Sequence, residues 1–272
     1  MSKPNLIVVG AGKMGSAFIN AATEAKYDIA GVFDDDKLTS CINISELDNF
    51  LTNNLLVKGT KPFTLVDFTL PDAFMENLNI YLKHGLQVVT GTTGWFNDPK
   101  KLQLVADKVN KAGTGLIYSG NYSLGVMVTY QLADLASKLL NQVGGFDVSI
   151  IEEHHVNKAD SPSGTAKEMA DIIMRNMENK TELLLGNADG KIRQNQLQIL
   201  SLRLGDTYGT HVAIFRDKNQ RIEIKHESLS REHFAAGALP AVEFIQGENG
   251  QPRKGIFTMQ DCVKSLFAGI AK

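Results

Sequence analysis

Residues 6–15 read L-I-V-V-G-A-G-K-M-G, and this stretch decides the expected fold of the N-terminal half. Leu6–Val9 is an uninterrupted apolar run, the pattern of a strand that is buried on both faces. The run leads directly into a G-x-G-x-x-G motif, and apolar residues then recur at helical spacing over residues 16–26. A second apolar run, Ile29–Phe33, ends at Asp34. This order of strand, glycine turn, helix, strand and acid is typical of a dinucleotide-binding domain.

The glycine motif assigns a ligand-binding role to its own residues. Glycines allow a tight turn and a close approach of the backbone to a pyrophosphate, which would lie on the helix N-terminus. Asp34 stands where an acid would bond the adenosine ribose hydroxyls. A plain structural turn is the alternative, and the flanking strands and acid argue against it. The predicted cofactor-binding residues of this segment are Gly10, Ala11, Gly12, Lys13, Met14, Gly15 and Asp34.

The residues that follow the second strand bear on which nicotinamide cofactor binds. Asp35 and Asp36 would repel a ribose 2′-phosphate, and only Lys37 offsets them locally. The three acids Asp34, Asp35 and Asp36 therefore favour NADH over NADPH, although one nearby lysine or a distant arginine can reverse such a preference.

Strands and helices continue to alternate as far as Tyr122, with further strands predicted at Phe63–Thr69, Gln87–Thr90 and Leu116–Tyr118. This alternation predicts a parallel, doubly wound sheet. Loops of small residues follow two of these strands, at the sheet edge where ligands bind in open α/β sheets. Surface turns are the alternative interpretation. The predicted nicotinamide-pocket residues are Gly91, Thr92, Thr93, Ser119, Gly120, Asn121 and Tyr122.

The second half of the chain has a different pattern, because strands follow one another without helices between them. Strands are predicted at residues 195–204, 211–216 and 220–226. Residues 196–202 and 221–225 alternate apolar and polar side chains, which predicts one buried face and one polar face. The other face of such a sheet would meet solvent or another subunit. The expected fold class is α/β, with an N-terminal Rossmann-type doubly wound parallel sheet and a smaller α+β domain with a mixed sheet. The predicted domains are 1–122, completed by 235–272, and 123–234.

Residues 152–166, E-E-H-H-V-N-K-A-D-S-P-S-G-T-A, gather most of the candidate chemistry of the second half. A helix start is predicted near Thr165, where free backbone N–H groups suit a carboxylate or phosphate. His154 and His155 exchange protons near neutral pH, and Lys158 can hold an anion or donate a proton. Each residue alone has an ordinary alternative as a surface group or helix cap. Together they predict a site for a small acidic molecule that gains a proton.

Composition argues against several other classes of protein. The 272 residues suit two modest domains, and a formal net charge of −2 gives no support for nucleic-acid binding. No apolar run is long enough to cross a bilayer, and the N-terminus does not resemble a signal peptide. Cys41 and Cys262 match no zinc or redox spacing, and the histidines lack metal-ligand spacing, so no metal is predicted. A reducing, cytoplasmic location is the simplest inference.

The stretch 152–166 is similar to the signature E-x-H-H-x-x-K-x-D-x-P-S-G-T-A of the 4-hydroxy-tetrahydrodipicolinate reductase family, formerly called dihydrodipicolinate reductases. These enzymes belong to the diaminopimelate route of lysine biosynthesis. Further stretches resemble the family too: V-V-T-G-T-T-G at 88–94, G-N-Y-S-L-G-V at 120–126, S-L-R-L-G-D-T-Y-G-T-H at 201–211 and G-I-F-T-M-Q-D at 255–261. The resemblance spans nearly the whole chain.

The resemblance implies an NADH- or NADPH-dependent reductase that acts on a small dicarboxylate. It implies that His154 is the catalytic acid/base and that Lys158 donates a proton and holds the substrate. The implied substrate-binding residues are His155, Ser163, Gly164 and Thr165. It also implies a homotetramer assembled through the second domain's sheet, in the cytoplasm or, in a plant, the plastid stroma. Two departures bear on NADPH use: the glycine turn is one residue shorter than the family's G-x-x-G-x-M-G, and Asp35 stands where the family often has arginine.

Two other functional classes remain open. The first is another two-domain nicotinamide-dependent reductase of a small acid. A semialdehyde dehydrogenase of this type would need a nucleophilic cysteine, and neither Cys41 nor Cys262 lies in a predicted active-site loop. The second is a non-enzymatic NAD(H) sensor, since a fold does not fix a function. The His-His-Lys loop argues against a sensor, and a turnover assay separates the two.

Overall fold

The computed structural model describes residues 3–35, 41–55, 62–230, 232–248 and 250–267. The chain divides into two compact units, Met1–Leu124 with Glu232–Lys272, and Gly125–Arg231. The predicted domains, 1–122 with 235–272 and 123–234, stay predictions, because compactness alone does not show that a unit folds or binds on its own. No helix in the described part of the chain is long and apolar enough to cross a membrane.

The first unit is built on a seven-stranded parallel sheet. Its strands are β1 (Asn5–Val9), β2 (Ile29–Asp34), β3 (Ile42–Asn43), β4 (Phe63–Asp67), β5 (Gln87–Thr90), β6 (Gly115–Tyr118) and β12 (Gly255–Thr258). Its helices are α1 (Lys13–Glu24), α2 (Leu47–Leu55), α3 (Pro71–Lys83), α4 (Pro99–Ala112), α7 (Glu232–Ala236), α8 (Ala238–Gln246) and α9 (Met259–Phe267). The strand order is β12-β6-β5-β4-β1-β2-β3, so the C-terminal segment supplies an edge strand. The predicted Rossmann-type sheet is confirmed.

Burial explains why these strands read as continuous apolar runs. Leu6–Val9 of β1 is fully buried, as is Leu65–Val66 of β4, because helices cover both faces of a parallel sheet. One helix boundary differs from the prediction: α1 begins at Lys13, directly after its N-cap Gly12, and not at Ser16. The apolar periodicity starts only where the helix meets the sheet, so its first turn carries no such signal.

The second unit is built on a five-stranded mixed sheet with the order β11-β10-β7-β9-β8. The strands are β7 (Asp147–His154), β8 (Glu182–Leu185), β9 (Gln196–Arg203), β10 (Thr210–Arg216) and β11 (Arg221–Glu227), and the helices are α5 (Leu124–Val143) and α6 (Gly164–Asn176). Strand β10 is antiparallel to β7 and β11, whereas β7, β9 and β8 run parallel. The predicted mixed sheet is confirmed. Strand β8 was not predicted, because E-L-L-L has no alternation.

The two faces of this second sheet differ in burial. Alternate residues of β7 are buried, from Val148 through Ile150 to Glu152 and His154, and α6 contacts β7, β9 and β10. The opposite face stays half-exposed and carries apolar side chains such as Ile151, which pairs in register with residues 200 and 212. The polar candidates Glu152 and His154 therefore lie on the face that packs against α6.

The sequence of residues 230–246 predicts one helix, which is interrupted in the structure. It forms two helices, α7 and α8, separated by Gly237. A Cβ atom at Gly237 would lie 1.9 Å from the carbonyl oxygen of Tyr122, so only glycine allows this close approach of two backbone segments. The interruption comes from a contact between residues distant in sequence, which the local periodicity cannot show.

Candidate active site

Strand register gathers polar side chains on one face of the second unit's sheet. Glu152 and His154 are two residues apart on β7 and so share a face. Ser201 and Arg203 lie opposite them on the parallel strand β9. On the antiparallel strand β10, His211 lies opposite Glu152. Because cross-strand partners share a face, these side chains form one polar cluster at the carboxyl end of β7.

Glu152 lies at the centre of this cluster and is fully buried. Its Oε2 lies 2.5 Å from Nδ1 of His154. Its Oε1 lies 3.0 Å from Nη1 of Arg203 and accepts a hydrogen bond of 3.3 Å from the backbone N–H of Ser163. Burial alone would raise the pKa of Glu152, but its contacts with His154, Ser201 and Arg203 outweigh burial and hold that pKa far below its ordinary value. The carboxylate is therefore ionised at neutral pH.

His211 and Ser163 connect the start of α6 to the cluster. The Ser163 Oγ lies 3.0 Å from Nε2 of His211 and accepts a 3.2 Å hydrogen bond from the N–H of Ala166 as the N-cap of α6. Burial, together with the neighbouring His154, lowers the pKa of His211 to about 3, so this ring is neutral at physiological pH. The predicted substrate contact of Ser163 stays a prediction, since its buried hydroxyl serves α6 and His211.

Lys158 lies in the loop that follows β7 and is placed by two contacts. Its backbone N–H donates to the carbonyl of His155 at 3.1 Å, and its Nζ lies 2.7 Å from Oδ1 of Asp160. Arg203 Nη2 donates to the Asp160 carbonyl at 2.6 Å, so the loop is tied to the buried cluster. Burial alone would raise the pKa of Asp160, but the bond and charge of Lys158 outweigh it and lower that pKa. The Lys158 side chain keeps 23% exposure, so it is partly accessible to solvent.

The other predicted substrate residues lie around this loop. Gly164 is exposed and Thr165 half-exposed, and both belong to the first turn of α6. His155 is half-exposed just beyond the end of β7. The start of α6, directly after its N-cap Ser163, therefore offers the free backbone N–H groups that an anion site requires.

One group of potential metal ligands occurs in the described residues. Glu152, His154 and His211 are buried and each offers a ligand atom, all within 4.8 Å of one another. However, the guanidinium of Arg203 already neutralises Glu152, and the Ser163 hydroxyl contacts His211. A cation here would meet an existing positive charge, and the predicted absence of a metal stays a prediction.

The glycine turn of the first unit has the geometry that a pyrophosphate needs. A Cβ at Gly15 would lie 1.8 Å from the carbonyl oxygen of Gly10, so the turn is too tight for a side chain at position 15. Gly12 is the N-cap of α1 without a side-chain bond, and a Cβ there would meet nothing within 4 Å. The first N–H groups of α1 have no partner within the helix and lie beside this open space. The turn therefore fits a dinucleotide phosphate.

Asp34 is fixed at the end of β2 beside this turn. Its Oδ2 accepts a 2.5 Å hydrogen bond from the Ala11 N–H, and its Oδ1 accepts one of 2.8 Å from the Asp35 N–H. The Gly10 N–H donates to the Phe33 carbonyl at 2.8 Å, which ties the turn to the same strand. The carboxylate predicted to bind the ribose is therefore held against the glycine turn.

The two predicted nicotinamide loops lie side by side at the ends of neighbouring strands β5 and β6. The N–H of Ser119 donates to the Thr90 carbonyl at 3.2 Å, and the Tyr122 hydroxyl donates to the same carbonyl at 2.7 Å. Thr92 and Tyr122 are buried and hold the loops, whereas Thr93 and Gly120 are exposed. The predicted residues are thus brought together, with the buried ones supporting the exposed ones.

Asp67 supports these loops and was missed in the sequence. This fully buried carboxyl accepts hydrogen bonds from the Tyr81 hydroxyl at 2.6 Å, the Thr69 N–H at 2.8 Å and the Thr92 hydroxyl at 3.0 Å. Burial raises the pKa of Asp67, and these donors oppose the increase. The sequence contains a pattern that could have indicated this role of Asp67. Strand β4, F-T-L-V-D, ends in an acid, just as β2 ends at Asp34.

Comparison with known proteins identifies the family. Profiles described as dihydrodipicolinate reductase, N-terminus and C-terminus, match residues 4–122 and 125–263. The 4-hydroxy-tetrahydrodipicolinate reductase of Christiangramia forsetii is 31% identical over 97% of this chain and 99% of its own. That of Methanococcus aeolicus is 32% identical over 88% of this chain and 92% of its own.

A solved structure agrees in fold. The dipicolinate-bound dihydrodipicolinate reductase from Paenisporosarcina sp. superposes with a TM-score of 0.69 and 22% identity, covering 94% of this chain and 98% of that chain. At this identity the likeness shows the fold alone, and the family assignment comes from the sequence matches to both halves. The chain belongs to the dihydrodipicolinate reductase family.

Proposed function

We propose that this protein reduces 4-hydroxy-tetrahydrodipicolinate to tetrahydrodipicolinate with NADH or NADPH, in the diaminopimelate route of lysine biosynthesis. Membership of a family whose curated relatives bear that reductase name supports the proposal. The observation that carries it is the buried, ionised Glu152 in contact with His154, beside a loop that presents Lys158. A general acid, a cation and an anion-binding helix start lie within one short stretch of chain.

The chain's own residues supply the proton, the position and the charge for this reaction. A bound reduced nicotinamide supplies the hydride. Lys158 and His154 provide the proton that completes the reduction, and one water leaves the hydroxylated substrate. The start of α6 at Gly164 and Thr165 holds a ring carboxylate through backbone N–H groups, with His155 and Ser163 as further contacts. Holding the substrate in this way orients its reacting carbon.

The cofactor is held, in this proposal, at the carboxyl edge of the first unit's sheet. The glycine turn 10–15 receives the pyrophosphate, and Asp34 bonds the ribose. The loops 91–93 and 119–122 surround the nicotinamide. The fit of the turn supports these roles, because its open side lies where the backbone N–H groups of α1 begin.

NADH is proposed as the preferred cofactor, because Asp35 is exposed directly after the ribose-binding acid. Its partners in the prediction, Asp36 and Lys37, lie outside the described residues. The substitution Asp35→Arg replaces a negative charge, which would repel a 2′-phosphate, with a positive charge that would attract it. We expect the ratio of kcat/KM for NADPH to that for NADH to rise by about tenfold, equivalent to roughly 1.4 kcal/mol.

Asp107→Arg is the matched control for this prediction, since it makes the same charge change at an exposed position of α4. It should leave the cofactor ratio unchanged. An Asp35→Arg variant with the wild-type ratio would show that the 2′-phosphate is selected elsewhere.

A turnover assay tests the proposed function directly. The pure protein is mixed with NADH or NADPH and with substrate formed in situ from pyruvate and aspartate semialdehyde, and cofactor oxidation is followed. Rapid oxidation supports the reductase. Tight NADH binding without turnover would favour a non-enzymatic NAD(H) sensor, and turnover only with other small acids would favour a different reductase.

A homotetramer assembled through the second unit's sheet is also proposed. The face opposite α6 carries half-exposed Ile151, Leu200, Val212 and Ile214, while Leu202 is 51% exposed. An apolar sheet face of this kind is suited to a subunit interface. We expect light scattering to give four times the chain mass of 29.7 kDa, and a monomer at micromolar concentration would contradict this. A cytoplasmic location, or the plastid stroma in a plant, stays a prediction.

A further inference from the structure

The contact between His154 and Glu152 determines which ring nitrogen carries the histidine proton. Nδ1 of His154 lies 2.5 Å from Oε2 of Glu152, and neither buried atom has a hydrogen bond of regular geometry to any described residue. Two unprotonated acceptor atoms at this distance would repel each other, so a hydrogen must lie between them. Because the Glu152 carboxyl is ionised at neutral pH, that hydrogen belongs to Nδ1.

The Glu152 carboxylate is held so that it cannot turn away from His154. Its other oxygen, Oε1, is occupied by Nη1 of Arg203 at 3.0 Å and by the N–H of Ser163 at 3.3 Å. The side chain is fully buried. Oε2 therefore remains directed at Nδ1, and the imidazole orientation is set by a carboxylate that is itself anchored from two other elements.

The opposite edge of the His154 ring faces a glycine. The antiparallel register pairs Thr210 with Glu153 and His211 with Glu152. Continued by one residue, it brings Gly209, directly before the start of β10, beside His154. A Cβ atom at Gly209 would lie 2.9 Å from Nε2 of His154, and its φ of +149° also disfavours other residues. The absence of a side chain at Gly209 thus keeps space beside Nε2.

We propose that Glu152 is a positioning residue, which holds the His154 proton on Nδ1 so that Nε2 exchanges a proton during the reaction. The catalytic part of this inference rests on the proposed function, in which His154 acts on the substrate. The hydrogen bond made by one ring nitrogen decides the protonation of the other. Glu152 itself touches neither substrate nor cofactor in this scheme, and it acts only through His154.

The tautomer of His154 can be observed directly in the wild-type protein. Long-range ¹H–¹⁵N spectra of histidine-labelled protein distinguish the two tautomers, and the spectrum of His154→Asn identifies the His154 signals among the six histidines. We expect the neutral ring to carry its proton on Nδ1, with Nε2 unprotonated. A ring protonated on Nε2 would overturn the proposal, and this measurement requires neither substrate nor cofactor.

A matched pair of variants connects the tautomer to turnover. Glu152→Gln replaces the carboxylate by an amide that offers an N–H as well as an oxygen, so we expect a mixture of tautomers and a kcat lower by about 10- to 100-fold, with KM changed less than about threefold. Glu153→Gln makes the same charge change one residue away, where the Glu153 carboxylate accepts from the Thr207 hydroxyl at 2.9 Å. It should keep the wild-type tautomer and kcat.

The outcomes separate this inference from the proposed function. An unchanged tautomer together with unchanged kcat in folded Glu152→Gln would overturn the positioning role. If no substrate is turned over by the wild type, the proposed function fails, while the tautomer spectra still decide what Glu152 does to His154. Thermal unfolding is measured in parallel because Glu152→Gln also removes the carboxylate beside Arg203. If that variant does not fold, the wild-type tautomer alone decides.

Discussion

Replacing Lys158 with alanine is expected to lower kcat by about two to four orders of magnitude, the range for loss of a positioned proton donor. The Lys158 side chain is partly exposed, and its ammonium lies 2.7 Å from Asp160. The backbone of Asp160 is in turn bonded to Arg203, which contacts the buried Glu152. Its removal takes away both the proposed proton source and a cation that holds the substrate. Steady-state kinetics with saturating cofactor measure the effect.

The control for this prediction is Lys218→Ala. Lys218 is exposed in the turn between β10 and β11, at the end of β10 remote from Thr210 and the cluster. The Lys218→Ala variant loses the same charge from the same unit and should keep the wild-type kcat. The free energy of unfolding of both variants should lie within about 0.5 kcal/mol of the wild-type value, as is usual for surface substitutions. Full activity of Lys158→Ala would show that another group donates the proton.

Much of the fold could be predicted because its signals are local. The apolar run Leu6–Val9, the glycine motif and Asp34 lie in consecutive segments, and each reports on a neighbour in the same strand–turn–helix unit. The alternation of 221–225 likewise predicted the strand β11, but the predicted buried face is wrong there, because β11 lies at the edge of the sheet and none of its residues is buried. Such patterns need no knowledge of which distant segment packs against them.

The candidate site could be located from the sequence but not assembled. The stretch 152–166 was identified, whereas Arg203, His211 and Gly209 were assigned no site role from the residues alone. Their contribution depends on the register of β7 with β9 and β10, which brings residues some fifty positions apart onto one face. The alternation within one strand indicates which of its side chains share a face, but it does not say which residue of a distant strand lies opposite them.

Alanine substitutions in the glycine turn are expected to have the second large effect. An added methyl group would clash with the backbone at Gly15 but would find open space at Gly12. A Cβ at Gly15 would lie 1.8 Å from the Gly10 carbonyl oxygen and 2.9 Å from its carbon, so the backbone must move. At Gly12 the Cβ has nothing within 4 Å, and the φ of −61° suits alanine. Gly12→Ala is therefore the matched control for the effect of Gly15→Ala on stability.

We expect Gly15→Ala to lower the free energy of unfolding by about 3 kcal/mol, at the upper end for overpacking, because backbone cannot yield as a flexible side chain can. Gly12→Ala should lower it by less than about 1 kcal/mol, the difference between glycine and a poorer N-cap. Both substitutions should weaken NADH binding. Gly15→Ala should weaken it by about 100-fold because the turn is displaced. Gly12→Ala should weaken it by about tenfold because the added methyl group enters the space proposed for the pyrophosphate. Urea unfolding and NADH fluorescence titration measure the two quantities separately. Wild-type NADH affinity in Gly12→Ala would mean that the pyrophosphate does not approach this turn, even if Gly15→Ala unfolds as expected.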